Sequence, residues 1–219
     1  MKTVGIIHTT PATISGLGDL AAELMPDVKI VNFLDDSILG DMRDGHNVEF
    51  VRERWLSYAE TLEKLGVSAV LSACSTVGEF AEEADKMLSI PVYRIDEAMA
   101  EEAVARGRKI AVFATLRSTL DPTVSLIRRK AEKAGAQVEV ETVLVEGAYQ
   151  ALMDGDKAAH DQKIAEAVAV RLETADVIVL AQASMASAIA SLENAGEKVL
   201  TSPAMGMARL KQELETAEK

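Results

Sequence analysis

A single cysteine, Cys74, serves all 219 residues, so no internal disulfide can staple the chain. Aromatic residues make up only 4% of the sequence. A core must therefore be assembled from aliphatic side chains, with the nine methionines as ordinary filling. No apolar run approaches the ~20 residues of a membrane span. The opening stretch Val4 to Ile7 is too short for the apolar region of a signal peptide. Positive charge is scarce as well: 23 Lys and Arg face 35 Asp and Glu, a net charge of −12. That balance excludes nucleic acid and an anionic membrane as principal partners, while leaving room for a local pocket that binds a small anion. Histidines and acids show no metal-ligand spacing; His46 and His160 sit among polar residues and read as surface. With 48% apolar and 26% charged residues, the expectation is a cytoplasmic globular protein of one large domain or two small lobes.

The sequence does contain a repeat. Residues 67–77 and 175–185 are both apolar runs that end in small polar residues and pass into a helical pattern. Cys74 and Gln182 occupy equivalent places, 182 − 74 = 108 residues apart. Val4-Gly5-Ile6-Ile7-His8-Thr9 matches Ile110-Ala111-Val112-Phe113-Ala114-Thr115 at nearly the same offset, 110 − 4 = 106. Two matches at one offset indicate a duplicated α/β half.

Short β-branched runs predict strands at 3–8, 28–33, 67–72, 91–95, 109–114, 137–144, 176–181 and 198–201. Val48, Val51, Trp55, Ala59, Leu62 and Leu65 mark one face of a helix between Asn47 and Leu65, and Ile164, Val168 and Leu172 mark another. A helix is also expected over Thr76 to Met87. Gly66, Gly107, Gly135 and Gly196 each stand between a helical pattern and a strand, where a C-terminal cap belongs. Strand and helix alternating at this cadence predict an α/β fold of two pseudo-symmetric lobes, each a mainly parallel sheet flanked by helices. The stretch from Ala208 to Lys219 reads as a solvated terminal helix. The acidic run Glu79, Glu82, Glu83 and Asp85 reads as a solvated helix face.

Ligands of such sheets bind beyond the carboxyl ends of the strands. Four segments therefore matter: His8-Thr9-Thr10, Cys74-Ser75-Thr76, Thr115 to Thr119, and Gln182-Ala183-Ser184. Cys74 is expected at a helix N-terminus, where free N–H groups and the helix dipole favour a thiolate able to take a proton or attack an electrophile. The opposing reading is a buried, inert cysteine. Thr9, Thr10, Ser75, Thr76, Ser118, Thr119 and Ser184 offer hydroxyls and backbone N–H groups to a carboxylate and to a developing enolate, or serve as helix caps. Arg117 adds a positive charge in the same loop, unless it is simply solvated.

Ala73-Cys74-Ser75-Thr76 resembles the first cysteine motif of the cofactor-independent aspartate, glutamate and hydantoin racemases. Phe113-Ala114-Thr115 through Ser118-Thr119 resembles the segment that opens the family's second lobe. Ile95-Asp96-Glu97-Ala98-Met99 and Thr201-Ser202-Pro203 are similar to the segment after its fourth strand and to its closing motif. The resemblance covers the whole chain. It implies lobes at 1–97 with 201–219 and at 98–200, a ligand between them, no cofactor, a small carboxylate substrate and a homodimer. In the two-thiol racemases, cysteines from both lobes flank the substrate α-carbon. Cys74 takes the first place here, but the second falls on Gln182, and an amide is neither acid nor base near neutral pH.

Three accounts follow from that departure. Cys74 acts with another acid or base, His8 being the histidine at a strand end. Alternatively, one thiol runs a one-sided reaction, similar to related decarboxylases, although their thiol lies in the other lobe, with Gln182 binding substrate or an enolate oxygen. Or binding survives without catalysis. A dinucleotide site at Gly16-Leu17-Gly18-Asp19-Leu20-Ala21, with Asp35 and Asp36 beyond, fits poorly. Gly16 comes well after the first strand, where that fingerprint needs a tight turn.

Overall fold

A computed structural model describes residues 2–44, 48–191 and 197–216; His46 and Gly196 lie outside the described residues. The chain divides into two compact units, Met1–Glu97 with Pro203–Lys219, and Ala98–Ser202. The first begins β1 (Thr3–His8), α1 (Ile14–Leu24), β2 (Lys29–Leu34), α2 (Ile38–Asp44) and α3 (Val48–Lys64). It continues with β3 (Ala69–Ser72), α4 (Gly78–Met87) and β4 (Val92–Arg94). From α5 (Glu97–Arg106) the chain enters the second unit with β5 (Lys109–Ala114), α6 (Arg117–Ala134) and β6 (Glu139–Leu144). Then come α7 (Ala148–Met153), α8 (Lys157–Ala169), β7 (Val177–Leu180) and β8 (Val199–Thr201). The last helix, α9 (Ser202–Thr216), belongs almost wholly to the first unit.

Each unit holds one four-stranded sheet, ordered β2-β1-β3-β4 and β6-β5-β7-β8, with parallel pairing throughout. All eight expected strands are present, most a residue or two shorter than the apolar runs that announced them. The β3 and β7 strands are buried at every residue, as strands covered on both faces must be. Backbone hydrogen bonds make the duplication explicit. Ala73 donates to the Ile7 carbonyl at 3.0 Å, and Ala181 donates to Phe113 at 2.9 Å. Asp35 donates to His8 at 3.0 Å, and Val145 to Ala114 at 2.8 Å. His8 thus corresponds to Ala114, and Cys74 to Gln182.

Helix α3 turns Val51, Trp55, Ala59 and Leu62 into the first unit's core, with Val48 at its start and Leu65 just past its end left exposed. It lies so close on β1 that a Cβ at Gly5 would come within 2.6 Å of a Leu62 methyl, so glycine is required there. Gly66 and Gly135 take the left-handed conformation of a helix cap, with φ of 76° and 64°. Gly107 does not. It is small because a Cβ there would meet that of Asp176 at 2.4 Å.

Several sequence expectations need correction. His160 is not on the surface but fully buried: with Ile164 and Val168 it forms the inward face of α8, and Nδ1 meets Asp161 at 2.8 Å. The terminal helix starts earlier, at Ser202, and is not merely solvated, since Met207, Leu210 and Leu214 enter the core. The acidic face of α4 is engaged rather than solvated. Glu83 takes two bonds from Arg52 (2.8 and 2.7 Å), Glu82 pairs with Arg94, and Asp85 accepts the Val92 N–H at 2.9 Å. The helix expected from Thr76 opens as a 3-10 turn, Ser75–Val77, and becomes α-helical at Gly78. Gly16 and Gly18 lie inside α1, so no tight phosphate turn forms there.

Candidate functional site

In the first unit, β3 delivers the chain to Cys74, whose extended backbone (φ −142°, ψ 122°) precedes the Ser75–Val77 turn. Its side chain is half-buried, resting against the cluster that includes Val70, Val77 and Phe80. Ser75 and Thr76 are buried directly after it. From the adjacent strand β1 the chain passes through His8 and Thr9, both buried, to Thr10. Thr10 caps the short turn Pro11–Thr13, accepting the Ala12 N–H at 3.4 Å.

His8 is held at both ring nitrogens. Nδ1 lies 2.8 Å from the Thr13 hydroxyl, and Nε2 lies 2.9 Å from Asn32 Oδ1. Burial pushes its pKa below the usual imidazole value, and the bond to Asn32 offsets this only in part. With Asn32 Oδ1 as the acceptor, Nε2–H donates to it. Neither Thr13 nor Asn32 stood out in the sequence. A polar residue inside the β2 run was the available signal for Asn32.

In the second unit the equivalent ground looks different. Gln182 follows β7, and its Oε1 accepts from both the backbone N–H of Thr115 (2.6 Å) and the Thr115 hydroxyl (2.9 Å). Ala183 and Ser184 open a 3-10 segment, Ala183–Ser191, and are partly buried. After β5, Leu116 begins α6 without a side-chain cap, and Arg117 is exposed. The Ser118 hydroxyl in the first turn is buried with no partner among the described residues. Thr119 is buried; its carbonyl accepts the Thr123 hydroxyl at 2.9 Å.

A further polar group lies past β4. Arg94 and Asp96 are nearly inaccessible and form a two-pronged pair, Nε to Oδ1 and Nη2 to Oδ2, each 2.9 Å. The third guanidinium nitrogen reaches Glu82 on α4. The pKa of Arg94 is raised: burial favours the neutral form, but the two carboxylates overcome it. A charged residue ending an otherwise apolar strand was the overlooked signal. Among the described residues no three His, Cys, Asp or Glu side chains converge as metal ligands, and no helix is long and apolar enough to cross a membrane.

Comparison with curated protein sequences returned no match. Solved structures are more informative. A glutamate racemase from Bacillus anthracis superposes with a TM-score of 0.79 at 17% identity, covering 99% of this chain and 82% of that one. An aspartate racemase homologue from Pyrococcus horikoshii gives 0.69 at 19% identity over 99% and 100% of the two chains. The allantoin racemase of Klebsiella pneumoniae gives 0.72 at 16% identity over 100% and 89%. These likenesses establish the fold. The sequence model of one family matches residues 5–210, from β1 into α9, and by that match the chain belongs to the Asp/Glu/Hydantoin racemase family.

Proposed function

We propose that the protein is a cofactor-independent enzyme acting at the α-carbon of a small carboxylate, with Cys74 as the group that moves the α-proton. The observation that carries this reading is the placement of the chain's one thiol. It is half-buried at the carboxyl end of β3, followed at once by Ser75 and Thr76. As thiolate, Sγ takes the proton while the C–H electron pair passes into an enediolate; the thiol then returns a proton to the carbon. Hydroxyls and N–H groups of Thr9, Thr10, Ser75, Thr76, Thr115, Ser118, Thr119, Ala183 and Ser184 are the candidate donors to substrate oxygens.

Gln182 stands, in this reading, where a two-thiol racemase carries its second cysteine. His8, bonded at both ring nitrogens and with its pKa lowered by burial, is better suited to holding the Thr10–Thr13 turn against β2 than to exchanging protons. Those two features favour a second version of the same chemistry, in which one thiol serves one face of the substrate, as in a decarboxylase-like protonation.

The test is α-proton exchange in deuterated water, followed by NMR. Its substrate panel holds aspartate and glutamate enantiomers, allantoin, hydantoins and substituted malonates. The neighbours' substrates motivate the first three. Cys74→Ser should lower exchange by on the order of 10²–10⁴-fold. Exchange that survives the substitution unchanged removes the thiol from the mechanism. Tight binding of a panel member without any turnover would favour a carboxylate-binding protein instead. Gln182→Cys should introduce or raise racemisation if the missing partner alone limits it.

A further inference from the structure

The Gln182 amide is anchored at one end only. Its Oε1 receives the Thr115 backbone N–H at 2.6 Å and the Thr115 hydroxyl at 2.9 Å, which occupies both lone-pair directions of the oxygen. That fixes the amide plane and aims Nε2 away from Thr115. Among the described residues Nε2 has no hydrogen-bond partner, and the side chain is only partly buried. With the oxygen held and no described group taking its N–H bonds, the amide is free to donate to a ligand. Two donors into Oε1 also polarise the amide and strengthen its N–H groups as donors. One strand over, just past β5, the Ser118 hydroxyl is buried with no partner among the described residues.

We propose that Gln182 presents fixed N–H donors to an anionic oxygen of the substrate, with Thr115 as its positioning residue. The proposal rests on the reading of Cys74 given above and deepens it. In place of a second proton-transfer group, the second unit supplies a neutral donor. The substrate class is then one whose negative charge grows on oxygen during the reaction.

Oxalate, a planar dianion shaped like an enediolate, is a direct probe. Its binding to the full chain is measured by isothermal titration for the wild type and for Gln182→Met, Gln182→Glu, Thr115→Val, Thr115→Ser and Cys74→Ser. Loss of a donor to a charged oxygen predicts about tenfold weaker binding in Gln182→Met. Gln182→Glu keeps the two bonds from Thr115 but turns an oxygen toward the ligand, so about a hundredfold loss is expected. Thr115→Val should cost a few-fold, and Thr115→Ser should restore the wild-type value, a rescue that a merely structural role of the methyl group would not produce. Circular dichroism of each variant identifies any that fail to fold. Affinities of Gln182→Met and Gln182→Glu within twofold of wild type overturn the proposal, as does a wild-type chain that does not bind oxalate. The proposal and the thiol reading fail separately. Cys74→Ser should lose α-proton exchange, whatever its affinity for oxalate. Exchange lost with Cys74 but oxalate binding indifferent to Gln182 sinks only the donor. The reverse pattern sinks only the thiol.

Discussion

The two units share a backbone plan and diverge at the strand ends. The first unit ends β1 with His8 and Thr9 and β3 with Cys74; at the equivalent places the second has Ala114, Thr115 and Gln182. In the second, a side-chain amide reaches back and captures both donors of Thr115. In the first, no hydrogen bond among the described residues joins Thr9 to Cys74, since a thiol is shorter and a weak acceptor. One end is thus tied by its own side chain, while the other keeps a small reactive group. The fourth strands diverge too: β4 leads to the buried pair Arg94 and Asp96, where β8 leads to Thr201 and Pro203. Duplication preserved the hydrogen-bonded ladder, whose geometry leaves little freedom, and released the residues just past it.

The fourth-strand difference carries the largest expected effect. Removing Asp96 leaves the Arg94 guanidinium, inaccessible and held charged, with Glu82 as its remaining carboxylate. Breaking a buried pair by deleting one partner costs about 3–5 kcal/mol. Asp96→Ala should therefore shift the urea midpoint of unfolding strongly downward, whereas Thr201→Ala in the second unit should cost no more than about 1 kcal/mol. Equal losses at the two sites would mean that the units are braced alike and that the contrast is superficial.

Next in size is a glycine that the arginine demands. A Cβ on Gly78 would lie 2.3 Å from the Arg94 guanidinium carbon, and that side chain cannot yield without leaving its carboxylates. The second unit, which lacks the arginine, has Ala186 at the corresponding place. Gly78→Ala should destabilise by about 1–3 kcal/mol through overpacking. In an Arg94→Met background the same change should be close to neutral. A double-mutant cycle measures the coupling, and additivity of the two substitutions would show that Gly78 is small for another reason.

These contrasts mark how far the sequence could be read. Strand number, parallel pairing and the equivalence of positions 74 and 182 followed from apolar runs and one repeat offset, because ladders are built from local patterns. The caps at Gly66 and Gly135 followed from position alone, while Gly107 was misread because its constraint comes from Asp176, distant in sequence. His160 was legible in principle: 160, 164 and 168 recur at helical spacing, but its polar neighbours masked the pattern. At the candidate site, the residue types past each strand were visible, and their partners were not. Thr115 and Gln182 are 67 residues apart, and Arg94 reaches past its sequence neighbour Asp96 to Glu82 on α4. Polar pairing is decided by tertiary proximity, which periodicity does not encode.

The smallest effect separates the units by pH. His8 is inaccessible and its pKa lies below 6.5 in the folded chain, chiefly because burial disfavours the imidazolium; Ala114 cannot titrate at all. Below 6.5 the unfolded chain binds a proton at this position that the folded chain does not, so stability falls as pH drops toward the folded pKa and levels off beneath it. Above 6.5 both states are neutral and the contribution is fully present. His8→Gln loses the paired contacts to Thr13 and Asn32, so its stability should be lower near neutrality. The deficit should narrow as the pH is lowered, since glutamine carries no such proton-linked penalty. Urea unfolding of both proteins from pH 8 down to about 5 measures the difference directly, and carboxylates common to both cancel from it. A gap that stays constant over that range would mean that His8 titrates alike in the folded and unfolded chains, and one that widens as the pH falls would mean a charged imidazole at the β1 end, restoring it as an acid for Cys74.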